Sequence, residues 1–149
     1  MSTVSRRGPG RILSHVAVYA LLPSYWGLDE EARARVANAW RDALAAAAEG
    51  VHFYRTFGSR ESSDVLVWSS MAAGTPDTPA RFFESYGNLL RPLRRYFRLQ
   101  HVLWGLTADS PYVRAAPERG IDPFTARTLR YLIAYPFAKT HDWYRMSVD

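Results

Sequence analysis

Residues 29–69 read DEEARARVANAWRDALAAAAEGVHFYRTFGSRESSDVLVWS. The first half has the period of a helix. Asp29, Glu30 and Glu31 place acids in an opening turn, and Val36, Trp40, Ala43, Leu44 and Ala47 recur at i, i+4, i+7, i+8 and i+11 on one face. Four alanines at 45–48 add propensity, and Gly50 is a natural stop. The second half changes period. Residues 51–57 and 64–69 are short runs rich in β-branched and aromatic side chains, and the Gly, Ser, Arg and Glu residues at 58–63 between them predict a hairpin.

A helix followed by a hairpin is the middle of a longer pattern. Upstream, residues 11–22 contain Ile12, Val16, Val18 and Tyr19 and end at Pro23, which predicts a first strand. Downstream, a Gly- and Pro-containing loop at 74–79 precedes a second helix with Phe82, Phe83, Tyr86, Leu89, Leu90 and Leu93 turned inward, which Pro92 kinks or restarts. Residues 98–107 then predict a fourth strand. The order βαββαβ over residues 11–107 is that of a ferredoxin-like unit, so the fold class is α+β, of the dimeric α+β barrel type. Residues 108–127, with Pro111, Pro117, Gly120 and Pro123, predict a long irregular connection. Residues 129–137 have the composition of a fifth strand, one more than the unit needs, and Ser147, Val148 and Asp149 resemble a helix start. Residues 128–149 are therefore expected to open a second, truncated unit.

Composition narrows the function. The chain has 149 residues, 48% hydrophobic and 22% charged, enough for one core. Its net charge of +5 favours anionic partners, but single arginines scattered among acids do not make a nucleic-acid stripe. The densest group, Arg91, Arg94, Arg95 and Arg98, is expected to be the solvated last turn of a helix. Zero cysteines exclude disulfides, Fe–S clusters and thiolate zinc sites. His15, His52, His101 and His141 have no metal-ligand spacing, and His101 is expected to be a core or sheet-face residue. Neither a nucleophile elbow nor a phosphate loop is present. No stretch resembles a signal peptide or a membrane span, so the expected compartment is the cytoplasm.

One residue stands out by its rarity. Lys139 is the only lysine, beside eighteen arginines, and it follows Tyr135 by four positions. In an extended strand that spacing puts both side chains on one face, roughly 13 Å apart, able to touch opposite ends of one large ligand. A phenol and an ammonium so placed are a proton and radical pair, or a half-buried strand tyrosine and a solvated edge charge. Trp143 is an aromatic wall or a core residue on the same terms.

Residues 130–144, RYLIAYPFAKTHDWY, resemble the central Tyr-Pro-x-x-Lys and Trp-Tyr motif of the chlorite dismutase-like family, in particular its coproheme decarboxylase branch. The Trp40 helix, Arg55 and Thr56, residues 65–68, and Ser110, Pro111 and Tyr112 resemble its N-terminal half in order and spacing. The resemblance implies two successive ferredoxin-like repeats, with haem held in the second, assembled as a homopentamer. It further implies a substrate that is also the redox centre, Fe-coproporphyrin III, converted with hydrogen peroxide to haem b as two propionates leave as CO2. Tyr135 matches the redox tyrosine. Lys139 matches the lysine that contacts the propionate being removed. Pro136, Phe137 and Ala138 line the pocket between them, and Trp143 matches an aromatic residue against the porphyrin. Arg119 is the nearest match to an upstream propionate-binding arginine, with Arg114 and Arg127 as alternatives. True chlorite dismutases typically lack the motif tyrosine, which favours decarboxylation.

In that family the iron-ligating histidine follows the motif, beyond Asp149, and none of the four histidines here matches it. The chain is accordingly expected to be a fragment of a longer enzyme, or to receive its other half from a partner chain. Two other readings stand beside this one: a chlorite-decomposing or weakly peroxidatic haem protein, and a non-catalytic dimeric α+β barrel that binds a small apolar ligand or a partner subunit.

Overall fold

A computed structural model describes residues 11–107, 122–125 and 130–134. Its elements in chain order are β1 (Ile12–Leu21), α1 (Pro23–Trp26), α2 (Glu30–Ala47), β2 (Gly50–Arg55), β3 (Val65–Ala72), α3 (Thr78–Leu90), a 3-10 turn (Arg91–Leu93) and β4 (Phe97–Leu106). The strands form one antiparallel sheet in the order β2-β3-β1-β4, with α2 and α3 packed side by side. This is the ferredoxin-like arrangement expected from the sequence.

Local chemistry fixes the element ends. The Asp29 carboxylate accepts the Ala32 N–H at 2.7 Å and caps α2, while Glu30 and Glu31 sit in its first turn where the helix dipole favours them. The helix then buries Trp40, Leu44 and Ala47, three of the five residues its period selects. Helix α3 buries Phe82, Tyr86 and Leu90 and leaves Leu89 exposed. Pro92 restarts the chain as the 3-10 turn. The sequence reading did not anticipate α1. Pro23 ends β1 but also sits at the first helical position, where its missing N–H and fixed φ suit a short helix.

Register separates the two faces of the sheet. Leu13, His15, Ala17 and Tyr19 stand opposite Met71, Ser69, Val67 and Val65, and these rows lie under the helices. On β4 the pairing shifts between Val18 and Tyr19, which face His101 and Leu99, leaving Gln100 as the additional residue of a bulge. Beneath the helices the core is aromatic. Trp40 stacks on Phe97 at 4.3 Å, and Tyr19 stands edge-on to Trp40 at 5.1 Å and to Phe97 at 5.4 Å.

Two expectations are corrected. Residues 130–134, the described part of the expected fifth strand, are irregular, with Tyr131 and Ile133 exposed and no ladder partner among the described residues. A strand is stabilised by the neighbour it pairs with, so β-type composition alone does not produce one. Arg91, Arg94, Arg95 and Arg98 are solvated, but they span the 3-10 turn, the bend after it and the start of β4 rather than one helical turn. His101 takes the sheet-face alternative of its two expected placements, on the face away from the helices, and is exposed there.

Candidate functional site

One constellation of described residues lies on the face of the sheet opposite the helices. His52 stacks on Trp68 at 5.2 Å, and the Trp68 indole N–H donates to Ser14 Oγ at 2.8 Å. The Pro123 carbonyl lies 3.3 Å from His52 Nε2. Since a carbonyl only accepts, that contact makes Nε2 the protonated ring nitrogen. Asp122 Oδ1 accepts the Phe124 N–H at 2.9 Å and so fixes the local turn.

Gly50 explains how the segment comes so close. A Cβ at this position would stand 2.2 Å from the Pro123 carbonyl oxygen, so only glycine admits the segment against β2. The sequence reading took Gly50 only as the stop of α2. A glycine opening a strand also signals close backbone approach, and that second meaning was available. Further along, the Arg130 guanidinium lies 5.4 Å from the centre of the Tyr131 ring. Tyr135, Pro136, Phe137, Ala138, Lys139 and Trp143 lie outside the described residues, as do Arg114, Arg119, Arg127 and His141.

A second polar constellation lies on the opposite face, under the helices. The ring of His15 is enclosed by Phe82 at 5.3 Å, Phe83 at 5.6 Å and Tyr86 at 4.8 Å, and its Nδ1 has no hydrogen-bond partner among the described residues. Burial among these rings lowers its pKa to about 4, because the imidazolium would lose its hydration. His15 is therefore neutral near pH 7. The Tyr86 and Tyr19 hydroxyls hydrogen-bond to each other, and burial pushes Tyr19 up to about 12 and raises Tyr86 as well. These phenols stay protonated. Among the described residues no group of His, Asp and Glu is arranged to hold a metal ion. His15 offers a free ring nitrogen, but the aromatic walls leave no room for a macrocycle beside it. The surroundings of His15 therefore supply no fitting cradle for an iron porphyrin, and no other described histidine stands in a group of metal-ligating residues.

The family model for chlorite dismutase matches residues 33–149, most of the chain and all of the Tyr135 motif. The chain belongs to the chlorite dismutase family. Members of this family bind haem. Among solved structures, TA0507, provisionally assigned as a chlorite dismutase, is similar at a TM-score of 0.63 and 25% identity over 91% of this chain and 61% of its own. The chlorite dismutase of Candidatus Nitrospira defluvii in complex with imidazole is similar at 0.52 and 17% identity, covering 72% of this chain and 44% of that one. A point variant of the same enzyme gives 0.51 and 18% identity, with 75% and 46% covered. No curated protein matches. The chain spans 43% and 61% of the lengths of the first two solved chains it resembles. No helix among the described residues is long and apolar enough to cross a membrane.

Proposed function

We propose that this chain is the N-terminal part of a coproheme decarboxylase, which removes two propionates of Fe-coproporphyrin III by peroxide-dependent oxidative decarboxylation to give haem b in haem biosynthesis. The observation that carries this reading is the Tyr135-Pro136-Phe137-Ala138-Lys139 run, with Trp143 and Tyr144 after it, inside the region that matches the family. Bound iron porphyrin and peroxide would supply the oxidising chemistry. The chain's own contribution is a phenol at Tyr135 that gives up an electron and a proton, and an ammonium at Lys139 that pairs with a propionate carboxylate. Arg119, or Arg114 or Arg127 in its place, offers a bidentate guanidinium to a further propionate. Pro136, Phe137, Ala138 and Trp143 give the flat apolar wall a macrocycle requires. Homopentameric assembly and a cytoplasmic location belong to the same proposal.

The test is a titration with iron coproporphyrin followed by peroxide, with the porphyrin mass read before and after. Loss of two CO2 units in the protein, retained binding but no loss in Tyr135→Phe, and slowed loss in Lys139→Ala are expected. Equal turnover in Tyr135→Phe and the unaltered chain would overturn the radical role. A second reading is favoured by the neighbours that carry the name chlorite dismutase: oxygen released from chlorite, with porphyrin mass unchanged, would establish that reaction instead.

A further inference from the structure

The face of the sheet under the helices is not closed everywhere. Between the first half of α2 and the end of β2 lies a cavity of about 600 Å³, open to solvent along one side. That volume falls in the range of small-molecule pockets, roughly 300–1,000 Å³. Its floor is aromatic: the Trp40 and Phe97 rings stack at 19° to each other, and Phe53 stands edge-on to Trp40 at 5.6 Å. The Trp40 indole N–H, buried in this floor, has no hydrogen-bond partner among the described residues.

The mouth is cationic. Arg33 and Arg41 reach it from α2 and Arg55 from β2, against a single lining carboxylate, Asp64. That carboxylate is already engaged, since its Oδ2 accepts the Leu21 N–H at 2.6 Å. Arg41 donates to Asn38 Oδ1 at 3.2 Å and leans over Phe53 with its guanidinium carbon 5.9 Å from the ring centre. Neither Arg33 nor Arg55 forms an ion pair among the described residues. Two large aromatic side chains stand exposed at the same opening, Trp26 at 54% and Phe57 at 83%, one from α1 and one from the β2–β3 connection.

This combination selects a ligand chemistry. A cation is repelled by three guanidiniums, a polyphosphate gains nothing from stacked rings, and a neutral apolar molecule leaves the arginines unused. A flat aromatic body carrying one carboxylate uses both halves, lying against the partly buried Phe53 and the exposed Trp26 with its charge among the arginines. We propose that this groove is a binding site for an aromatic carboxylate. The inference is independent of the decarboxylase reading, because none of its residues belongs to the Tyr135 motif.

The experiment titrates the 149-residue chain with anilinonaphthalene sulfonate, an aromatic monoanion of suitable shape, and with neutral phenylnaphthylamine. One saturable site per chain is expected for the anion. The Arg33→Gln/Arg55→Gln double variant should weaken the anion about tenfold, toward the affinity of the neutral dye, as two charge-assisted contacts are lost. Val36→Trp, which fills the groove from α2, should abolish binding of both dyes. Anion binding indifferent to the arginine pair, or absence of saturable binding in the unaltered chain, would overturn the site. The arginine pair decides alone if Val36→Trp does not fold, since circular dichroism can verify the fold of that surface variant first.

Discussion

Strands β1 and β4 are neighbours of ten residues each, antiparallel and comparably apolar, yet their fates differ. Five residues of β1 are buried, including a histidine, whereas in β4 only Phe97 is buried and Leu99, Leu103, Trp104 and Leu106 are exposed. The difference is one of position. β1 has a strand on either side and aromatic side chains from both helices over it, while β4 lies at an edge that, unlike the other edge strand β2 with its buried His52, has few described residues packed over it. Burial is thus a property of a residue's place in the ladder, and composition sets only what that place can gain.

The largest way to break the comparison is to empty the covered side. Phe82 packs between His15, Phe83 and Tyr86 and is fully buried. Phe82→Ala should cost about 3–5 kcal/mol in urea unfolding, from lost transfer energy plus the cavity left behind. A loss below about 1 kcal/mol would mean that the helices do not cover β1 in solution.

The next effect concerns His15, whose folded pKa of about 4 lies below the ordinary value of 6.5. Between those values the unfolded chain binds a proton that the folded chain does not. Stability is therefore complete above pH 6.5 and falls as pH drops toward 4, by about 3 kcal/mol in all. Burial is the cause of this shift, with no offsetting charge among the described residues. In His15→Leu the slope over that window should flatten, measured as urea midpoints against pH. An unchanged slope would place the acid sensitivity elsewhere.

Much of this contrast was legible in residues 29–69 and their flanks. The helix period around Trp40, the capping acids and the hairpin break report local preferences that the sheet then satisfies, so the βαββαβ order followed directly. Edge position was not legible, because strand order depends on pairings far apart in sequence, and His101 was accordingly expected at the core or on a sheet face without a way to choose. The strand expected at 129–137 failed in its described part for the same reason, since β-type composition was read without a partner for it. Gly50 marks the close approach of Pro123 to β2, yet a glycine at the end of a helix is read first as a stop. The motif from Tyr135 to Trp143 was legible only by resemblance. Spacing alone gave two residues on one face and no ligand.

The smallest expected effect sharpens the contrast most. Leu103 lies on the uncovered face of β4, opposite Val16, and is 41% exposed. Leu103→Thr introduces a β-branched side chain suited to a strand and removes apolar area that is already partly in water, so the loss should be about 1 kcal/mol or less. The edge itself presents unpaired backbone groups beside a row of exposed apolar side chains, a surface on which other chains can pair. If urea unfolding of Leu103→Thr shows a loss of 2 kcal/mol or more, and the loss grows with protein concentration, then β4 is covered in solution by another copy of the chain. A small, concentration-independent loss leaves β4 as the open edge of a sheet whose stability resides in β1 and the helices over it.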